Sequence, residues 1–138
     1  MIPVFLDTSG LIALVNKDDQ WHEAAEWAWS ELVAGGAPFL TTSLILIEIG
    51  DGLSKIRQRQ GAIELYNRLR ASRRTEILQI GEDEQERGWN LFRNRKDKEW
   101  GITDCISMAV MMQRGVNSAF SADHDFEQAG FQVLIERP

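Results

Sequence analysis

Four carboxylates of this chain, Asp7, Glu48, Asp104 and Asp123, stand where they could do chemistry together. Asp7 directly follows Pro3–Leu6, which reads as a short strand, and Asp123 follows a second such run, Ser118–Ser121. Where strands alternate with helices, ligands gather at the carboxyl ends of the strands, which places both acids near one edge. Asp104 opens a segment running to Arg114. In it Ile106, Met108, Val110, Met111 and Met112 cover nearly the whole helical circle, so the helix should be buried and carry Asp104 inward. The positive end of that helix favours a carboxylate. Glu48 interrupts the apolar run Leu44–Ile49, at the edge of an arc formed by Ile45, Ile49 and Ile56, and is expected to be partly buried. A buried carboxylate is costly unless paired, protonated or bound to metal, and no Lys or Arg stands locally to pair with Asp7 or Asp104.

Each acid also has an ordinary structural reading. Asp7 can cap a helix, Glu48 can snorkel from a surface face, Asp104 can be a first-turn acid, and Asp123 can be a loop residue. All four being ordinary at once is the less economical account. Carboxylates clustered in a chain with one cysteine and no histidine pair suit a hard divalent ion, Mg²⁺ or Mn²⁺.

The elements that must position these acids alternate. Strands are expected at Pro3–Leu6, Pro38–Thr41, Glu76–Ile80, Ser118–Ser121 and Phe131–Ile135. Helices are expected after Asp7 to about residue 15, from Asp18-Asp19 to Ala34 before Gly35-Gly36, and from Leu44 to Arg59 with Ser43 as cap. Three more are expected over Ala62–Ala71, over Glu82–Lys96, and from a Thr103 cap to Gly115. This order predicts an α/β fold with a mainly parallel central sheet flanked by helices.

Length and composition agree: 138 residues suit one domain, and 43% hydrophobic with 26% charged residues excludes collagen, a mainly disordered chain and a disulfide scaffold. The lone cysteine, Cys105, points to a reducing cytoplasm and excludes a Cys-based zinc site. No apolar run approaches the roughly 18 residues needed to span a bilayer. The apolar start lacks a basic leader and is interrupted by Asp7, so it does not read as a signal sequence.

Net charge is −6, but it is unevenly spread. Residues 1–54 hold eight acids and one base, residues 55–98 seven acids and twelve bases, and residues 99–138 six acids and two bases. The basic middle reads either as solvated helix faces or as a phosphate-contacting rim around an acidic centre. Arg57, Arg59, Arg73 and Arg74 are the candidate phosphate contacts, with Arg68 and Arg70 beside them. On the second expected helix Trp21, Ala25, Trp29 and Leu32 share one face, whereas Trp27 falls opposite among Glu23, Glu26 and Ser30 and is the candidate interface residue.

Four segments together resemble the PIN-domain ribonucleases. Phe5-Leu6-Asp7-Thr8-Ser9-Gly10 is similar to the opening of that family, and Thr42-Ser43 through Glu48 to its second motif. Gly101-Ile102-Thr103-Asp104-Cys105 is similar to the third, and Ser121-Ala122-Asp123-His124-Asp125-Phe126 to the last. The resemblance covers residues 1–138 as one PIN-like domain, and the small size resembles the VapC-type toxins of toxin–antitoxin pairs. It implies a three-layer α/β/α fold and an endoribonuclease dependent on Mg²⁺ or Mn²⁺. It also implies a homodimer, a cognate antitoxin that blocks the site, and operator DNA reached only through that antitoxin. Carried onto this chain, Asp7 and Asp104 are the principal metal ligands, with Glu48 and Asp123 as further ligands or as groups orienting water. Asp123 matches the fourth acid better than Asp125, being closer to the strand end. Thr8, Thr103 and Ser121, the last standing where Thr is common, supply hydroxyls that orient the carboxylates.

Other functions fit less well. A receiver-type signalling module wants adjacent acids after an early strand and a late Lys, yet Asp7 stands alone and residues 99–138 contain no Lys. A dehalogenase-like phosphatase wants a second Asp two residues after the first, where Ser9 stands. A catalytically silent PIN-like binding protein would not need all four acids. Ser9 has no partnered His and Asp, so it does not read as a hydrolase nucleophile.

Overall fold

Three consecutive buried residues, Val4-Phe5-Leu6, form β1, the middle strand of a five-stranded sheet in the computed structural model, which describes residues 1–136. A strand buried on both faces needs a continuous apolar run rather than alternation, and this one has it. The chain continues through α1 (Thr8–Val15), α2 (His22–Ala34), β2 (Phe39–Thr42), α3 (Ser43–Gly52) and α4 (Ile56–Ala71). Then follow β3 (Thr75–Leu78), α5 (Glu82–Asn94), α6 (Ile102–Arg114), β4 (Ser118–Phe120), α7 (His124–Gln128) and β5 (Gln132–Val133). The strand order is β3-β2-β1-β4-β5 and every pairing is parallel, so all five carboxyl ends share one edge. Helices flank the sheet in three layers, as expected. Among the described residues no helix is long and apolar enough to cross a membrane.

The sheet is tied to its neighbours by close approach. A Cβ on Gly10 would lie 2.1 Å from the Phe120 carbonyl oxygen, so only glycine lets α1 pass this near β4. On the other side Gly88 of α5 sits against α6, where a Cβ would meet Ile106 Cγ1 at 2.3 Å. Phe39 on β2 stacks on Trp29 at 4.8 Å between ring centroids, which accounts for the inward face of α2.

Several boundaries differ from expectation for local reasons. Leu44 to Arg59 is not one helix. Gly50 and Gly52 weaken its end, Leu53 turns inward and is buried, and Ile56 at 94% exposure leaves the apolar arc of Ile45 and Ile49. Asp19 does not open α2; its carboxylate accepts the Trp21 N–H in a turn, and the helix begins at His22. Thr42, not Ser43, caps α3, accepting from the Ile45 N–H, while Ser43 Oγ accepts from the Ile80 N–H. Thr103 does not cap α6 either: the cap is Gly101, and Thr103 falls within the first turn. Met112 on α6 is exposed, so that helix is buried over most of its circle rather than all of it. The short helix α7 was not expected; Asp123 caps it by accepting from the Asp125 N–H.

Candidate active site

Asp7 leaves β1 at its carboxyl end and is 4% exposed. Its backbone N–H still belongs to the sheet, donating to the Phe120 carbonyl at 3.2 Å, so the side chain is aimed by the β1–β4 pairing. Although Asp7 is the N-cap of α1, its carboxylate makes no capping hydrogen bond. Oδ2 instead accepts from Ser9 Oγ at 2.8 Å and from Ser121 Oγ at 2.7 Å. Each serine in turn accepts a backbone N–H, that of Ala122 on Ser9 at 3.2 Å and that of Asp123 on Ser121 at 3.0 Å. The two hydroxyl oxygens also lie 3.0 Å from each other, so Ser9, Ser121 and one oxygen of Asp7 form a closed hydrogen-bonded triangle. Burial pushes the Asp7 carboxyl up, while the two serines pull against that shift.

Glu48 reaches the same region from α3. Its Oε1 accepts from Thr8 Oγ1 at 2.7 Å, so the residue after Asp7 orients a second acid. Asp104, on the first turn of α6, lies close enough to feel all the others. Burial comes first, then the charges of Asp7, Asp123, Asp125 and Glu48, and together they push its carboxyl up to about 8. Asp104, Asp123 and Asp125 place one carboxylate oxygen each within 4.8 Å of one another. The Asp125 carboxyl is raised by burial and by the charges of Asp123 and Glu99, with His124 opposing.

The donor set is oxygen only, which is the chemistry of a hard divalent cation rather than of zinc or copper. At neutral pH the crowd relieves itself by keeping a proton on Asp104; a cation among these acids would take the place of that proton. Among the described residues no Lys or Arg forms an ion pair with any of the five.

The expected site residues therefore divide. Asp7, Glu48, Asp104, Asp123 and Asp125 are brought together, with Thr8 and Ser121 hydrogen-bonded to two of them. Thr103 makes no hydrogen bond to a carboxylate among the described residues. The arginines are not gathered at this edge. Arg73 and Arg74 precede β3, at the amino end of a parallel sheet whose acids sit at the carboxyl end, and the Arg74 guanidinium donates to the Val33 carbonyl. Arg57 lies beside Asn16, Lys17 and Asp18, past the far end of α1 from Asp7, and Arg59 is exposed on the first turn of α4. Trp27 is 70% exposed, as its helical position predicted.

Two contributors escaped the sequence reading. Ser9 lacked partners for nucleophilic chemistry, but its spacing of two from Asp7 lets it hold that carboxylate. Trp100 is buried and its Nε1–H donates to Gln128 Oε1 at 3.0 Å, which ties the loop before α6 to α7 and so brings Glu99 near Asp125. Nothing local in the sequence signals that bond, because its partners are 28 positions apart.

Comparisons with known proteins give the family and the fold. The PIN domain model matches residues 4–132. A 23S rRNA-specific endonuclease of Mycobacterium tuberculosis, VapC20, is 29% identical over 130 residues, 93% of this chain and 95% of the relative. The crystal structure of the M. tuberculosis VapC20 toxin, described as cleaving the sarcin-ricin loop, superposes with a TM-score of 0.81 at 28% identity. That match covers 98% of this chain and 99% of the other. VapBC2 of Rickettsia felis, bound to a DNA fragment from its promoter, shares the fold at 16% identity, with a TM-score of 0.69 and 96% of each chain covered.

Proposed function

This chain belongs to the PIN-domain family, and on that premise we propose that it is a metal-dependent endoribonuclease acting as the toxin of a toxin–antitoxin pair. The observation that carries this reading is the convergence of Asp7, Glu48, Asp104, Asp123 and Asp125 at one end of the sheet, with no Lys or Arg ion-paired to them among the described residues. Left alone, such a cluster repels a phosphodiester. Mg²⁺ or Mn²⁺ held there supplies neutralisation of phosphate charge and a lowered pKa for attacking water.

In this reading Asp104, Asp123 and Asp125 offer the facing oxygens, and Asp7 and Glu48 complete the anionic wall. Ser9 and Ser121 fix the Asp7 carboxylate in place, and Thr8 fixes that of Glu48. Thr103 has no such place. Asp125 stands level with Asp123, since Asp123 also spends an oxygen capping α7.

The VapC20 relatives make ribosomal RNA the first substrate to test, and the VapBC neighbour makes a cognate antitoxin the partner to seek. We place the protein in the cytoplasm as a homodimer, with exposed Trp27 as the interface candidate and operator DNA met only through the antitoxin. The deciding experiment is incubation of the purified protein with ribosomal RNA under Mg²⁺, Mn²⁺ or EDTA. Cleavage with either ion and none in EDTA is expected. Undiminished cleavage in EDTA, or none with any divalent ion, overturns the assignment.

A further inference from the structure

One exposed aromatic surface lies outside the four segments that resemble the family motifs. Trp89 and Phe92 lie on the same side of α5, each 43% exposed, with ring centroids 5.4 Å apart in an edge-on pair. Phe92 then joins Arg95, Lys96, Lys98, Glu99, Trp100 and Cys105 around a groove of about 370 Å³. Glu99 and Cys105, which line the groove, are close enough to the acids for charge to act between them, Glu99 acting on Asp125 and both Asp104 and Asp125 on Cys105, so the groove adjoins the acidic cluster.

Its wall is rigid. Arg95 lies over the Trp100 ring, 4.9 Å from the centroid, and both oxygens of Asp97 accept from its guanidinium at 3.0 and 3.1 Å. Trp100 is held from behind by Gln128. Arg95 is therefore committed to the wall. Lys96 is exposed and enters no ion pair among the described residues, and Lys98 meets Asp97 only at 3.9 Å.

From this we infer that the groove between α5 and the 95–100 loop is a nucleotide subsite, in which a base of a single-stranded RNA segment stacks on Phe92 while Lys96 and Lys98 hold the flanking phosphates. Three features favour RNA as the occupant. Exposed aromatic faces beside mobile cations are how single strands are held without sequence readout. The volume falls near the low end of small-ligand sites, fitting one nucleotide rather than a duplex. The groove also leads directly to acids that would act on the same strand. The inference rests on the ribonuclease reading above, and it supplies the cations that Arg73 and Arg74 are too distant to provide.

The test is the affinity of a fluorescently labelled single-stranded RNA oligonucleotide in EDTA, by anisotropy, beside cleavage of the same RNA in Mn²⁺. Phe92→Leu should weaken binding roughly 5- to 160-fold, the range of one base–aromatic stack, and Phe92→Tyr should restore it. Lys96→Ala with Lys98→Ala should weaken binding and flatten the salt slope by about 0.7 per lost contact. Melting temperatures within about 2 °C of wild type check that neither effect is unfolding. Wild-type affinity and salt slope in both variants, with cleavage by the wild type intact, would leave the aromatics as a protein contact and overturn the subsite alone. Weakened binding in the variants with no cleavage by the wild type would sustain the subsite and overturn the ribonuclease reading. Absence of RNA binding by the wild type overturns the subsite.

Discussion

Ser121 and Asp7 lie 114 positions apart in the chain, yet the Ser121 hydroxyl donates to Asp7 Oδ2 at 2.7 Å while accepting the Asp123 N–H at 3.0 Å. One side chain thus fixes a buried carboxylate and the turn that presents another. Ser121→Ala should raise the Asp7 carboxyl further, because the lost hydrogen bond is the largest of the three opposing burial. The expected result is a 10- to 100-fold loss in metal affinity or activity, the usual effect of removing a group that orients a ligand, with recovery in Ser121→Thr. A metal titration of cleavage rate checks it; an unchanged midpoint would show that this bond is structural only.

The proton on Asp104 makes a stability prediction. Its carboxyl titrates at about 8 when folded against 3.8 ordinarily, so between about pH 4 and pH 8 the folded state holds a proton that the unfolded state has lost. Stability of the metal-free protein should therefore fall across that window and level off above it, with Asp7 and Asp125 acting in the same direction. Asp104→Asn should flatten the fall and raise the melting temperature at pH 8.5, while abolishing cleavage. Thermal melts in EDTA across pH 5 to about 9 test this. A wild type that grows more stable as pH rises would contradict it.

Divalent ion should reverse that pH trend, since binding requires the deprotonated cluster. Saturating Mn²⁺ is expected to raise the melting temperature more at pH 8 than at about pH 5.5, and to leave Asp7→Asn, Asp104→Asn double variants unmoved. Calorimetry in both conditions separates this from a general salt effect, for which added NaCl of equal ionic strength is the control.

Gly10→Ala should be the most damaging single-methyl change near the site. Its Cβ would stand 2.1 Å from the Phe120 carbonyl oxygen, a backbone atom that cannot rotate away. Overpacking of this kind costs about 1–3 kcal/mol or more, or roughly 5–10 °C in melting temperature. Gly61→Ala, with open space around its Cβ position, is the matched control and should melt at or above wild type. Equal melting temperatures in the two variants would show that α1 shifts freely against β4.

Arg73→Ala with Arg74→Ala is expected to leave RNA affinity within about twofold of wild type, because both residues stand at the opposite end of the sheet from the acids. Anisotropy with the same oligonucleotide reads the outcome. A large loss would mean that RNA crosses the amino edge of the sheet.

Much of this was legible in the residues themselves. Pro3–Leu6 read as a short strand, and an acid directly after it was expected at a carboxyl edge, where β1 places it. Asp104 at the head of a nearly all-apolar helix had to enter the interior. The order of elements implied a parallel sheet, and the four acids were found from it. These inferences rest on period and adjacency, which are properties of short stretches of chain. Tertiary structure alone decided the rest. That Ser9 and Ser121 share one oxygen of Asp7, that Thr8 holds Glu48, and that Trp100 clasps Gln128 all follow from β4 lying beside β1 and from α6 and α7 docking there. The basic middle of the sequence is divided in space for the same reason. Arg73 and Arg74 are near the other bases in number, but the direction of β3 carries them to the end of the sheet away from the acids, and charge counted along a chain does not record which end of a strand it falls on.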